Sequence, residues 1–161
     1  MKNKNETTKG FHRWAGFMTY YHMVGGLIGL LITFLLLRKL PISGDTWVLF
    51  IIQTILFCFT FYCGYAFMNK DYKRAVRLSL YANILQVIPF AIGGIGYTFV
   101  SGLGATLKYS LIEASALKME FDISSFALGS GNNADDFIGI NFIAILVVFA
   151  LFTMHAENKR S

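Results

Sequence analysis

The sequence predicts an all-α integral membrane protein: a four-transmembrane-helix bundle with both termini cytoplasmic and a small β-hairpin-like extracytoplasmic loop between helices 3 and 4. Three observations predict it. Charged residues are 14% of the 161-residue chain, where a soluble domain carries roughly 25%. Hydrophobic residues are 55%, aromatics 16%, and mean hydropathy is +0.55. The apolar residues also gather in long windows that Asp, Glu, Lys and Arg avoid.

Residues 1–19 form a polar tail and an interfacial segment, with Phe11, Trp14 and Met18 at helical spacing. Residues 20–37 are the first span, 47–68 the second, 78–100 the third and 137–154 the fourth. Each approaches the ~20 apolar residues that a helix needs to cross a hydrocarbon core about 30 Å thick. The first run is longer than the 7–15-residue apolar region of a signal peptide, and no A-x-A-like cleavage site follows it. A retained span is therefore expected. Residues 38–46 make an outer turn containing Pro41 and Gly44. A basic cytoplasmic loop occupies 69–77, the extracytoplasmic loop 101–136 and a cytoplasmic tail 155–161. In the third span, Pro89 removes a backbone donor and Gly93, Gly94 and Gly96 follow, so a kinked helix is expected near Pro89.

Orientation follows from the cations. Lys2, Lys4, Lys9, Arg13, Lys70, Lys73, Arg74, Arg77, Lys159 and Arg160 fall on one side of this topology, and Arg38, Lys39, Lys108 and Lys118 on the other. The richer side is the cytoplasmic one, which fits a multi-pass protein of a bacterial inner membrane. The net charge of +5 then reflects orientation and contact with anionic lipid. No nucleic-acid partner is expected, because no run of five to eight basic residues is present.

Each span has one side unlike lipid. His22, Gly25, Gly29 and Thr33 align in the first, and Gln53, Phe57, Thr60, Gly64 and Phe67 in the second. Ser79, Asn83, Gln86, Phe90, Gly93 and Tyr97 align in the third, and Asn141, Ile145, Val148, Phe152 and His155 in the fourth. Gln53, Thr60, Asn83, Gln86 and Asn141 are the candidates for a polar cleft or pore. Gly25, Gly29, Gly64 and Gly93 are the candidates for close helix packing, since small residues let backbones approach.

The outer loop carries its own pattern. Residues 117–123 alternate apolar and charged, the period of a strand with one wet face. Residues 106–112 read as strand or helix, and a hairpin connected by 113–116 is expected. A lone hairpin is marginal in water. Leu117, Met119, Phe121 and Ile123, all on one side, are therefore the candidate contact with a partner or a second copy.

Catalytic patterns are missing. The sequence has no G-x-S-x-G, P-loop or dinucleotide fingerprint, and Gly102-x-Gly104 is too short to count as one. No ionisable residue stands mid-span, which argues against proton relays. No cofactor is expected. His12, His22 and His155 read as interfacial rather than as haem ligands, and residues 129–136 are oxygen-rich without the spacing of a calcium loop. Cys58 and Cys63, about 140° apart on a helix, read as two buried thiols. The leading function is a small non-enzymatic integral membrane subunit. It assembles as a homo-oligomer or in a larger membrane complex, through helix packing and its outer loop. The alternatives are an oligomeric channel lined by neutral polar residues and a membrane redox or lipid-modifying enzyme subunit.

Overall fold

In the computed structural model, which describes residues 4–39, 44–112, 116–130 and 136–158, the apolar runs divide between helix and strand. Helix α1 covers Lys4–Leu37 and helix α2 covers Gly44–Met68. Their apolar runs, Phe11–Leu37 and Thr46–Met68, are the two described helices long and apolar enough to cross a membrane. Each buries a single stripe. Ala15, Met18, His22, Gly25, Gly29 and Thr33 face inward on α1, and Phe50, Gln53, Phe57, Thr60, Gly64 and Phe67 on α2. The outward sides stay apolar, with Leu27, Leu31, Ile51 and Ile55 each more than half exposed.

Helix α3, Tyr72–Ile84, starts at Asp71, whose carboxylate accepts the Arg74 amide at 3.3 Å. It ends before Ile88-Pro89, where the residue preceding proline resists the helical region. Four strands and a last helix follow: β1 Phe90–Ile92, β2 Ile95–Ser110, β3 Leu117–Ser130, β4 Phe137–Asn141 and α4 Phe142–Asn158. The sheet is antiparallel, in the order β1-β4-β2-β3, and β1 pairs with β2 as well. Gly93 and Gly94, at φ +59° and +83°, make the β1–β2 turn. Positive φ at both central residues is what such a two-residue turn requires. Strand β2 pairs with β1 near its start and with β4 near its end. It therefore bends around those two short strands, while β3 lines its other edge and is itself the edge of the sheet.

The bend has a local cause. Val100 faces Ser125 and Leu103 faces Ile123, so Ser101 and Gly102 stand opposite Ser124 alone. This is a β-bulge, which kinks and twists the strand that carries it. Gly102 takes φ +90° and Ser124 φ +45°. Ala15, Met18, Ala66, Phe67, Ala75, Val76, Val147, Leu151 and Met154 join α1, α2, α3 and α4 in one core.

This architecture overturns the expected all-α bundle of four spanning helices. The third apolar run is not a kinked span. It is the end of α3, a turn, β1 and the start of β2. A continuous apolar run does not separate helix from buried strand by itself, and here Pro89 stops the helix instead of kinking it. The fourth run is split at Asn141 between β4 and α4, and its helical apolar part, Phe142–Ala156, is too short for a span. The basic segment 69–77, expected as a loop, enters α3 at Tyr72. The strand expected at 117–123 is present within β3, and 106–110 is strand. The hairpin, however, is far larger than a loop ornament and begins inside the run expected as span three. Its connection at 113–115, and 131–135 of the oxygen-rich segment, lie outside the described residues.

Candidate functional site

The polar side chains meet where α1 and α3 touch the bend of β2. Gly25 makes that approach feasible. A Cβ built on it would lie 2.5 Å from the Gly102 nitrogen and 2.8 Å from its Cα, so helix backbone rests directly on strand backbone. Ser124 locks the contact. Its hydroxyl accepts the Gly102 amide at 3.0 Å and donates to the Gly25 carbonyl at 2.9 Å. Tyr21, one turn away, donates to the Leu103 carbonyl at 3.4 Å.

His22, one turn before Gly25, is fully buried. Its Nδ1 lies 2.8 Å from the Met18 carbonyl, which only accepts, so that nitrogen carries the proton. Nε2 lies 3.0 Å from the Asn83 amide nitrogen. That nitrogen also donates to the Ser79 carbonyl at 2.8 Å, which fixes the orientation of the amide and makes Nε2 an acceptor. One turn further, Gln86 accepts the Ser101 amide at 2.8 Å through Oε1 and donates to the Ala82 carbonyl at 3.1 Å. The chain His22–Asn83 and the bond Gln86–Ser101 thus tie α1 to α3 and α3 to the bulge. Buried beside them, Ser79 Oγ, Asn83 Oδ1, Ser101 Oγ, Thr106 Oγ1 and Asn141 Nδ2 have no hydrogen-bond partner.

Asn141 holds the other end of β2. Its Oδ1 accepts the amides of Ala105 at 3.3 Å, Ile143 at 3.1 Å and Ala144 at 3.3 Å. It caps α4 and clamps that helix to the strand. Thr60 returns its hydroxyl to its own helix at Leu56, 3.0 Å away, and Gln53 is buried on the same α2 stripe. Of the five residues expected around a polar cleft, Asn83, Gln86 and Asn141 thus bind the sheet or its neighbours, while Thr60 bonds within α2. An apolar cleft lies elsewhere, between the α1 C-terminus and the α2 N-terminus. It measures about 360 Å³ and is lined by Leu30, Thr33, Phe34, Trp47, Phe50 and Ile55 among others.

The expected packing glycines divide. Gly29 faces the Phe57 ring, and Gly64 faces the Met23 amide and Thr19 carbonyl, so both serve the α1–α2 contact. Gly25 serves a helix–sheet contact. Gly93 is a turn residue with open space around it. Leu117, Met119, Phe121 and Ile123 stand outward on edge strand β3, exposed by 63%, 55%, 76% and 60%. On the other side of the sheet Lys108 pairs with Glu120 at 2.5 Å and lies over the Phe137 ring.

Sequence reasoning missed three groups. His22 lies on the inward side of α1, as its spacing predicts, but its bond to Asn83 is not legible in the sequence. Cys58 is exposed while Cys63 is buried. Ser101 and Ser124 carry no signal in the sequence, and Gly102 enters it only in the short Gly102-x-Gly104 pattern. A glycine inside an otherwise strand-like run is the signal for a bulge, and Gly102 is one. Among the described residues no group of three or more His, Cys, Asp or Glu is placed to hold a metal. No protein-family profile, curated protein or solved structure matches this chain.

Proposed function

We propose that this chain is a non-enzymatic integral membrane subunit, anchored by the α1–α2 hairpin and assembling with a second copy or another subunit through the open edge of β3. The observation that carries the reading is that edge. Among the described residues β3 pairs with β2 on one side only, so its other edge is open to strand pairing, and Leu117, Met119, Phe121 and Ile123 stand exposed on the sheet face beside it. Strand addition to such an edge is a general recognition mode, and an uncovered one is a hazard.

The anchor has its own support. Only 28% and 33% of the most apolar windows of α1 and α2 are buried, whereas a core helix of a soluble protein buries most of its surface. With two spans, the basic N-terminal segment and Lys70, Lys73, Arg74 and Arg77 share one side, the cytoplasmic one. The engagement of Asn83, Gln86 and Asn141 in internal hydrogen bonds supports a packing role for them over a pore lining.

The experiment is a pair of prolines. Successive residues of a strand aim their amides at opposite edges, so of Met119→Pro and Glu120→Pro one removes a β2–β3 bond and the other removes only an outward donor. Proline is tolerated at the outward position of an edge strand. The variant that keeps the parent's fold is expected to lose assembly about tenfold, some 1.4 kcal/mol, read as mass in mild detergent. Parent-like assembly in that folded variant contradicts the proposal.

A further inference from the structure

We infer that the outer face of the sheet lies against the acyl chains of the bilayer, at the depth where α1 and α2 have their midpoints. The inference rests on the anchor proposed above and concerns what covers the sheet. Gly25 falls at the middle of the Phe11–Leu37 run, and Phe57 at the middle of Thr46–Met68. Both touch the bend of β2. Gly25 meets the Gly102 backbone, and the Phe57 ring stands 5.5 Å from that of Phe99. If the two helices cross the membrane, the bend sits near the mid-plane.

The side chains around the bend are arranged for that depth. On the outer face, register places Leu103 beside Ile123, Leu107 beside both Met119 and Ile140, and Tyr109 beside Leu117. Leu103 and Ile123 are 55% and 60% exposed. The opposite face holds Gly104 beside Asp122, Thr106 beside Glu120 and Asn141, and Lys108 beside the exposed Lys118. Apolar outside and polar inside is the reverse of a sheet that packs on a core in water, and it is the alternation of strands that face lipid. From Gly102 to Tyr109 the strand extends at most about 23 Å, enough to bring Tyr109 and the Lys108–Glu120 pair to headgroup level from a mid-plane about 15 Å deep. An open edge is not tolerated in hydrocarbon, so this placement makes the assembly partner of β3 a requirement.

The test places single tryptophans in the full chain. Trp14→Phe and Trp47→Phe remove the native indoles. Leu27→Trp then reports on the outward side of α1, and Phe121→Trp and Leu103→Trp report on the sheet. Each protein is reconstituted in vesicles of phosphatidylcholine with or without mid-chain bromine, and iodide serves as the aqueous quencher. The expected result is about twofold lower emission in brominated lipid for all three, with little effect of iodide, because bromine and indole share the ~30 Å core. If Leu27→Trp is quenched by bromine while both sheet tryptophans are quenched by iodide, the sheet is aqueous and the inference falls while the anchor stands. If Leu27→Trp itself escapes bromine, the anchor falls and the inference with it.

Discussion

Gly25→Val is expected to be among the most damaging single substitutions in the chain, costing about 3 kcal/mol or more, at the upper end of overpacking. The new Cβ would overlap the Gly102 nitrogen at 2.5 Å and approach the Ser101 carbonyl carbon at 3.0 Å. Those atoms belong to backbone held by the β2–β3 ladder and by Ser124, so no side chain can rotate out of the way. The helix must lift from the bend, and the Ser124 bond to the Gly25 carbonyl is lost with it. Gly16→Ala is the control. Nothing lies within 4 Å of that position, so it should gain up to about 1 kcal/mol from helix propensity alone. Denaturant titration in mild detergent reads both, and equal midpoints for the two variants would refute the contact.

Asn141→Ala is the second large effect, again about 3 kcal/mol, from a lost helix cap and a buried amide left without an acceptor. One oxygen serves three amides, on β2 and on the first turn of α4, at a residue with 0% exposure. Asn141→Ser separates the two roles. Serine caps a helix well but is one atom shorter, so it should recover the α4 share and leave the Ala105 amide unpaired. The expected order of stability is parent, serine, alanine. A serine variant no better than alanine would mean that the cap contributes little.

The sequence announces these features unevenly. The buried stripes of α1 and α2 follow from 3.6-residue periodicity, and His22, Gly25, Gly29, Gln53, Phe57 and Thr60 all lie where that periodicity places them. The alternation at 117–123 also reads directly as strand. The third run misleads because Ile, Val, Phe and Tyr on either side of Pro89 are equally apolar whether they cross a bilayer or fill a sheet. The fourth run misleads by phase. Helical spacing aligns Asn141 with Ile145, Val148 and Phe152, yet the buried stripe of α4 is Ala144, Val147, Leu151 and Met154, because the helix begins only after Asn141. The bulge depends on Ser101 and Gly102 together standing opposite Ser124, a non-local match that no local pattern contains. The same is true of Gly25. It reads as a helix-packing glycine, and only the register of β2 reveals that its partner is a strand.

All of these contacts build one object, a bent sheet fastened to the midpoints of two apolar helices with one strand edge left open. That open edge is the central claim, and the mass of the parent protein tests it most directly. Native mass spectrometry of the chain released from nanodiscs cut from its own membrane should record a complex heavier than the 18.1 kDa monomer, either a multiple of that mass or the chain with a second subunit. A lone 18.1 kDa chain released from intact, detergent-free discs would contradict the account.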